Sequence, residues 1–523
     1  MKKFISMIAI SALVVAFWSC DDDDDDDAPV NLAAPAVTAP AASSVQVGTT
    51  ANLSFAFTAA AGFQSATVAA TAGSATITTN GTDGATTGTI VVSYVAGATA
   101  GAGSVTLTVS DKEGDTGNAT AVLTLSPEPV DPTEIVVTSN ITTNTTWETG
   151  KTYILAARIA VVDGVTLTIE PGAVVKGQAG TGSNATALLI ARGGKLMAEG
   201  TAALPIIFTS VADEITPEDI EAGDFVSPNL DPDVTGLWGG LLVLGRAPIS
   251  ASSASGQLSE FQIEGIPASD INGLYGGNIT DDNSGVIKYV SIRHSGANIG
   301  EGNEINGLTL GGVGSGTTIE NIEIVGNQDD GIEFFGGTVN VNNLLIWNVE
   351  DDGVDTDQAW SGTLDNFIVI AGSITDHTLE IDGPEGTAGE GTSTGHTIKN
   401  GSIKGFVGSS GAGSEMADFR DGARATIENI YFFNFPDASL AAGRGDFSLS
   451  GTETTDNFAA GFLSFSGLEA VQVGTVPLTT VFKGGTDAAA TYVAAGANTV
   501  GATDLTKFDW TLAKKLDALT SEF

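Results

Sequence analysis

Three short segments bring carboxylates together at regular spacing: Asp329-Asp-Gly-Ile-Glu-Phe-Phe335, Asp351-Asp-Gly-Val-Asp-Thr-Asp357 and Asp376-His-Thr-Leu-Glu-Ile-Asp382. The second starts 22 residues after the first and the third 25 residues after the second, so they align position by position. Alternate side chains of a strand face opposite ways. That alternation sends Ile332, Val354 and Leu379 inward and Glu333, Asp355 and Glu380 outward, with Asp357 and Asp382 as a second outward column. Asp418 and Arg420 continue both columns on the next coil, because Ala417 and Phe419 suit inward positions.

Three kinds of chemistry fit this pattern. Carboxylates on strands about 4.8 Å apart repel by about 1 kcal/mol in water and by more in a drier groove. Calcium, a hard cation that takes oxygen ligands, would offset that repulsion, which makes Glu333, Asp355, Asp357, Glu380 and Asp382 the candidate metal ligands. Catalysis is the second possibility. Inverting hydrolysis of a glycosidic bond needs a protonated carboxyl and a second carboxylate about 6.5 to 9.5 Å away to activate water. Asp352 is then the candidate general acid, Asp329 and Asp351 the water activators, and His377 the neighbour that tunes them. The third reading is structural, since Asp-Asp-Gly is also turn chemistry. No Ser or Cys nucleophile arrangement, phosphate loop or zinc-type His cluster is present. Trp147, Trp238, Trp347 and Trp360 are candidate sugar platforms where exposed. Trp238, among glycines, is expected to pack a corner and Trp347 to face outward. His294 is expected to be hydrogen-bonded in a coil corner.

The elements that must position these residues are short apolar strands separated by Gly, Asn and Asp. They run from Val161-Val-Asp-Gly-Val-Thr-Leu-Thr-Ile-Glu170 through Ile206 to Phe208, Leu241 to Leu244, Ile322 to Ile324 and Phe367 to Ile370. Recurrence every 20 to 50 residues signals a repeat architecture, because one coil cannot bury its apolar face until neighbours stack on it. The predicted fold is all-β: a right-handed parallel β-helix over residues 133–523, preceded by a small β-sandwich over 45–127, where alternating strands fall between turn residues. Asp213 to Asp233, rich in Pro and acidic residues, reads as an extruded loop. Thr503 to Phe523 reads as a short amphipathic helix closing the solenoid. Asp111, Glu113 and Asp115 read as an acidic hairpin turn, with calcium at a module junction as the alternative.

Composition narrows the partners. Lys+Arg 20 against Asp+Glu 63 gives a formal charge of -43, which repels nucleic acid. The single cysteine, Cys20, follows a basic start and an apolar run, the pattern of an export signal over residues 1–19. Seven aspartates, Asp21 to Asp27, follow it and open an acidic tether and linker over 20–44.

Several resemblances add to this reading. The Ser19-Cys20 junction resembles the lipobox of bacterial lipoproteins, with Phe17 departing from the usual branched aliphatic; it implies lipidation of Cys20 and a membrane anchor. Acidic residues just after the cysteine resemble the outward-sorting signal of Bacteroidota surface lipoproteins, which implies an outer-membrane, cell-surface location; a plain solvated tether is the alternative. Val105 to Asp115 looks like the closing hairpin of bacterial Ig-like and PKD-like spacer domains. From about Trp147, wording such as Gly236-Leu-Trp-Gly-Gly240 and Asp329-Asp-Gly-Ile-Glu-Phe-Phe-Gly-Gly337 resembles the β-helix lipoproteins of Bacteroidota, with a pectin-lyase-like fold. A fold-level resemblance to polygalacturonase-type hydrolases rests on Asn327-Gln-Asp329, Asp351-Asp352 and His377 in order. His377 lies in Asp-His-Thr rather than Gly-His-Gly, Gly395-His-Thr397 is a rival match, and no Arg-x-Lys follows. Pectate-lyase signatures are absent, although Arg420 beside acidic columns would suit an arginine base with calcium. The expected function is an envelope-anchored lipoprotein whose β-helix binds polysaccharide or another surface component, with calcium as its possible cofactor. The alternatives are a polysaccharide hydrolase or lyase, and a purely structural surface protein.

Overall fold

A single coil cannot bury its apolar face until neighbours stack on it, and in this protein the stacking is visible in the register of its strands. The structure, a computed structural model, describes residues 31–127, 133–253, 256–264, 266–298, 305–385, 395–409, 411, 413–440 and 444–523. Cys20, the signal segment and the aspartate run lie outside the described residues. The chain divides into two compact units, 1–131 and 132–523.

The first unit is a sandwich of two four-stranded sheets. One pairs Ala36–Thr38, Thr50–Thr58, Thr87–Ala96 and Gly73–Thr79 in that order; the other pairs Ser43–Gln46, Thr116–Ser126, Gly101–Asp111 and Phe63–Thr71. Leu53, Phe55 and Phe57 alternate with exposed Ser54 and Ala56, and Val105, Leu107 and Val109 do the same from the facing sheet, so both inner faces share one core. Buried Asp111 accepts the amides of Glu113 and Asp115 on Oδ1, which builds the acidic hairpin turn.

The second unit is a right-handed parallel β-helix. Successive coils pair in parallel, for example Ile322, Leu344, Phe367, Gly401, Ile430 and Leu468 side by side. Apart from Gly401, they belong with Ile324, Ile346, Val369, Ile403 and Phe432 to a continuous core running from Ile141 to Ala490. Each long strand bends midway. At the bend Asn321, Asn343, Asn366, Asn400 and Asn429 all adopt φ between 57° and 60°. Asparagine tolerates this left-handed conformation better than most residues. Its amides also link coils, Asn366 Nδ2 donating to Asn343 Oδ1 at 2.7 Å and Asn429 Nδ2 to Asn400 Oδ1 at 3.2 Å.

A separate nine-stranded parallel sheet forms the face that carries the acidic segments. One outward row crosses it without a break in register: Ala160, Leu189, Leu242, Thr309, Glu333, Asp355, Glu380, Asp418 and Ser448. The apolar members are covered. Ile249, Ile263, Ile266 and Tyr275, from the connection between Leu241–Leu244 and Leu308–Gly311, pack with Ala160, Leu189 and Leu242.

Two sequence expectations change. The segment Asp213 to Asp233 is not a free loop: Ile215, Ile220 and Phe225 pack on Val174 and Ile207, around a helix Pro217–Glu221 opened by a Thr216–Asp219 capping box. The C-terminal segment does not close the end of the solenoid. It holds a 3-10 turn Leu505–Phe508 and a one-turn helix Leu512–Lys515, and it runs along the outside of the long sheet. Phe508 and Ala513 pack there on Leu345, Ile368 and Ile370. The amides of Ala502, Thr503 and Ala513 bond Ser402, Asn366 and Glu323 on three different coils. An apolar stripe serves a side wall as well as an end, and the outward apolar residues on the sheet decide which.

Candidate functional site

The acidic face is assembled from the strand row and the corners that precede it. In each corner an aspartate holds the next coil: Asp330 Oδ1 accepts the amide of Asp352 at 2.9 Å, and Asp352 Oδ1 accepts the amide of His377 at 2.8 Å. Glycine must follow, because a Cβ on Gly331 or Gly353 would lie 2.6 Å from a carbonyl oxygen of the next coil. The Asp-Asp-Gly wording is thus turn chemistry that also brings Asp330 next to Glu333 and Asp355.

Three groups result. Asp330, Glu333 and Asp355 place ligand oxygens within 4.8 Å of one another. Asn306 Nδ2 donates to Glu333 Oε2, while the buried Asp355 Oδ1 and Asn306 Oδ1 have no hydrogen-bond partner. Burial, and then the neighbouring carboxylates, raise all three acids well above the ordinary range. Nothing but oxygen is offered here, and these residues could hold a hard divalent cation. Asp329, Asp330 and Asp351 form a second, more open group.

The third group centres on His377. Its Nδ1 donates to Asp352 Oδ1 at 2.9 Å and lies 3.4 Å from Glu380, while Nε2 faces Arg444 Nη2 at 3.2 Å and Glu415 at 3.6 Å. Burial works to lower its pKa, but the hydrogen bond to Asp352 and the charges of Asp352, Glu415 and Glu380 outweigh it and raise the imidazole to about 9. Burial and the Asp352 charge lift Glu380 to about 8 against Arg420. Burial and Asp446 lift Glu415 to about 7. Arg420 pairs with Glu380 and, at 2.8 Å, with Asp382, and Arg444 pairs with Asp376 and, at 3.1 Å, with Glu415.

The structure therefore redistributes the residues singled out in the sequence. Glu333 and Asp355 stay together and are joined by Asp330 from the corner. Glu380 and Asp382 both pair with Arg420, and Glu380, although next to Asp355 in register, lies outside that group of three. Asp357 turns toward Glu385, its Oδ1 accepting the amide of Gln358 at 2.6 Å. Asp352 is only 3% exposed and both its bonds to His377 fall on one oxygen, so it positions the imidazole; its burial is at odds with a general acid reaching a glycosidic oxygen. Asp329 is half-buried and Asp351 is exposed. His396, the rival histidine, is stacked on Trp360 in the core, and burial pushes its pKa down to about 3. Trp147, Trp238 and Trp360 are buried and cannot be sugar platforms, whereas Trp347 is half-buried. His294 bonds the Val234 carbonyl at 2.7 Å, in its corner. Sequence reasoning missed Asp330, Asn306, Glu415 and Arg444; only Asp330 had a signal, being the aspartate before glycine that matches Asp352.

A parallel β-helix with a carboxylate row on one outer face is the class of protein that fold and site define. Residues 139–513 match the model of the pectate-lyase-like beta helix domain, and the chain belongs to that family. No curated protein matches it. Among solved structures it is similar to the catalytic unit of a thermostable GH87 alpha-1,3-glucanase from Streptomyces thermodiastaticus, at 14% identity over 71% of this chain and 74% of that one, TM-score 0.19. A family 28 exopolygalacturonase from Yersinia enterocolitica matches at 10% identity over 77% of each chain, TM-score 0.15. A mutant of the SrpA adhesin from Streptococcus sanguinis matches at 16% identity over 21% of this chain and 68% of that one, TM-score 0.17. Likenesses this weak carry nothing about function.

Proposed function

We propose that this protein is a cell-surface lipoprotein, anchored through Cys20 and extended by an Ig-like stalk, whose β-helix binds polysaccharide on its acidic face with calcium held by Asp330, Glu333 and Asp355. The observation that carries the reading is the convergence of those three carboxylates around the unpartnered Asp355 Oδ1, with no cation paired to any of them among the described residues. Like charges so placed cost free energy unless protonated or bridged by a metal. Bound calcium leaves coordination positions for ligand hydroxyl or carboxylate oxygens, since the ion takes 6 to 8 oxygens.

A ligand that binds only the folded state raises its stability by mass action. Millimolar calcium should therefore raise the melting temperature and give a saturable calorimetric isotherm, and Asp355→Asn should remove most of both. Melting that ignores calcium and chelator alike would refute the metal site. For the anchor, Cys20→Ser should move the protein from the membrane to the soluble fraction; membrane attachment that survives the substitution would refute it.

A further inference from the structure

On a different face of the same coils, Trp347 ends the strand Asn340–Trp347. Its register neighbours Val325 and Ile370 are aliphatic. Trp347 packs, as do Leu519 and Phe523 of the C-terminal segment, against the apolar cluster of Leu345, Ile368, Ile370, Phe508 and Ala513. The indole also lines a cleft of about 400 Å³ together with Phe406, Asp231, Asp233, Asn348 and Ser373. That volume falls within the roughly 300–1,000 Å³ of small-ligand sites. The polar side chains here differ from those of the acidic corners. Asp330 and Asp352 are committed to backbone amides of the next coil, whereas the side chains of Asp231, Asp233, Asn348 and Ser373 bond no described residue.

We propose that this cleft is a binding subsite for an uncharged saccharide. Two aromatic rings supply apolar surface for the C–H faces of a sugar, and the free acceptors suit a ligand rich in hydroxyl donors. Asp231 and Asp233, on a chain of net charge -43, repel uronates. A lone ammonium group would leave most of the cleft unfilled. The subsite contains no residue of the calcium cluster and so goes beyond the metal-dependent reading.

The test is calorimetric titration of the full chain in EDTA, which silences the calcium site. The probes are neutral oligomers of the cello-, xylo-, manno-, malto- and β-1,3-gluco- series, trigalacturonate, and choline. At least one neutral oligomer should bind, trigalacturonate and choline should not, and Trp347→Ala should weaken binding about tenfold. Asp355→Asn should leave the affinity unchanged. Because Trp347 also packs on the C-terminal segment, Phe406→Ala and Asp231→Asn provide a second route, each checked for an unchanged melting temperature. Failure of every neutral oligomer to bind, preference for trigalacturonate or choline, or wild-type affinity in all three cleft variants would overturn the proposal.

Discussion

The two halves of one outward row on the nine-stranded sheet differ in kind. Toward the N-terminal coils the row reads Ala160, Leu189 and Leu242 and is covered by Ile249, Ile263, Ile266 and Tyr275; toward the C-terminal coils it reads Glu333, Asp355, Glu380 and Asp418. The inward neighbours do not change character, since Leu188, Leu241, Leu308, Ile332, Val354 and Leu379 are all fully buried and apolar. Stacking dictates the inner face of every coil. The outer face is less constrained: under the covering connection it is apolar core, and farther along the same row it carries carboxylates, with Glu333 and Glu380 buried.

That contrast is easiest to break by moving a carboxylate across it. Leu242→Asp places an unpaired charge beneath the covering connection and should cost about 3–5 kcal/mol, measured by denaturant unfolding. The reciprocal Asp355→Leu should be neutral or stabilising in the absence of calcium. Comparable destabilisation by both would mean that the two halves are not different environments. A smaller effect concerns pH. Glu380, Glu415 and His377 titrate at about 8, 7 and 9, each raised above its ordinary value. Groups whose pKa is raised on folding contribute stability that is present below the ordinary value and lost as pH rises through the folded one. In EDTA the melting temperature should therefore fall by a few degrees between pH 5.5 and 9, and Glu415→Gln should flatten part of that slope. An unchanged slope in the variant would assign the loss to general charge repulsion instead.

Much of the acidic face was legible in the sequence because strand alternation and coil spacing are both local. Ile332, Val354 and Leu379 point inward and Glu333, Asp355 and Glu380 outward, as the spacing of 22 and 25 residues required. The family match covers the same fold. What escaped depended on distant parts of the chain. Arg444 reaches Asp376 from 68 residues away, a pairing no periodicity announces. The cover over Leu242 comes from a connection whose apolar residues follow no coil rhythm. Asp330 lies opposite Asp352 in the sequence alignment, but the corner bond by which the aspartate next to glycine holds the following coil is not visible in spacing alone. Three of the asparagines at the bends, Asn343, Asn366 and Asn429, precede apolar triplets in the sequence, but nothing there announces the left-handed backbone that all five adopt.

The C-terminal segment has a consequence for how the β-helix resists mechanical load. A stack held only by contacts between adjacent coils frays from its ends, one rung after another. Here Thr499 bonds Glu469, Ala502 bonds Ser402, Thr503 bonds Asn366 and Ala513 bonds Glu323, so a single strand of chain rivets four coils spread along the axis. Peeling the last rung must first strip that rivet line, which turns a zipper into a unit that yields all at once.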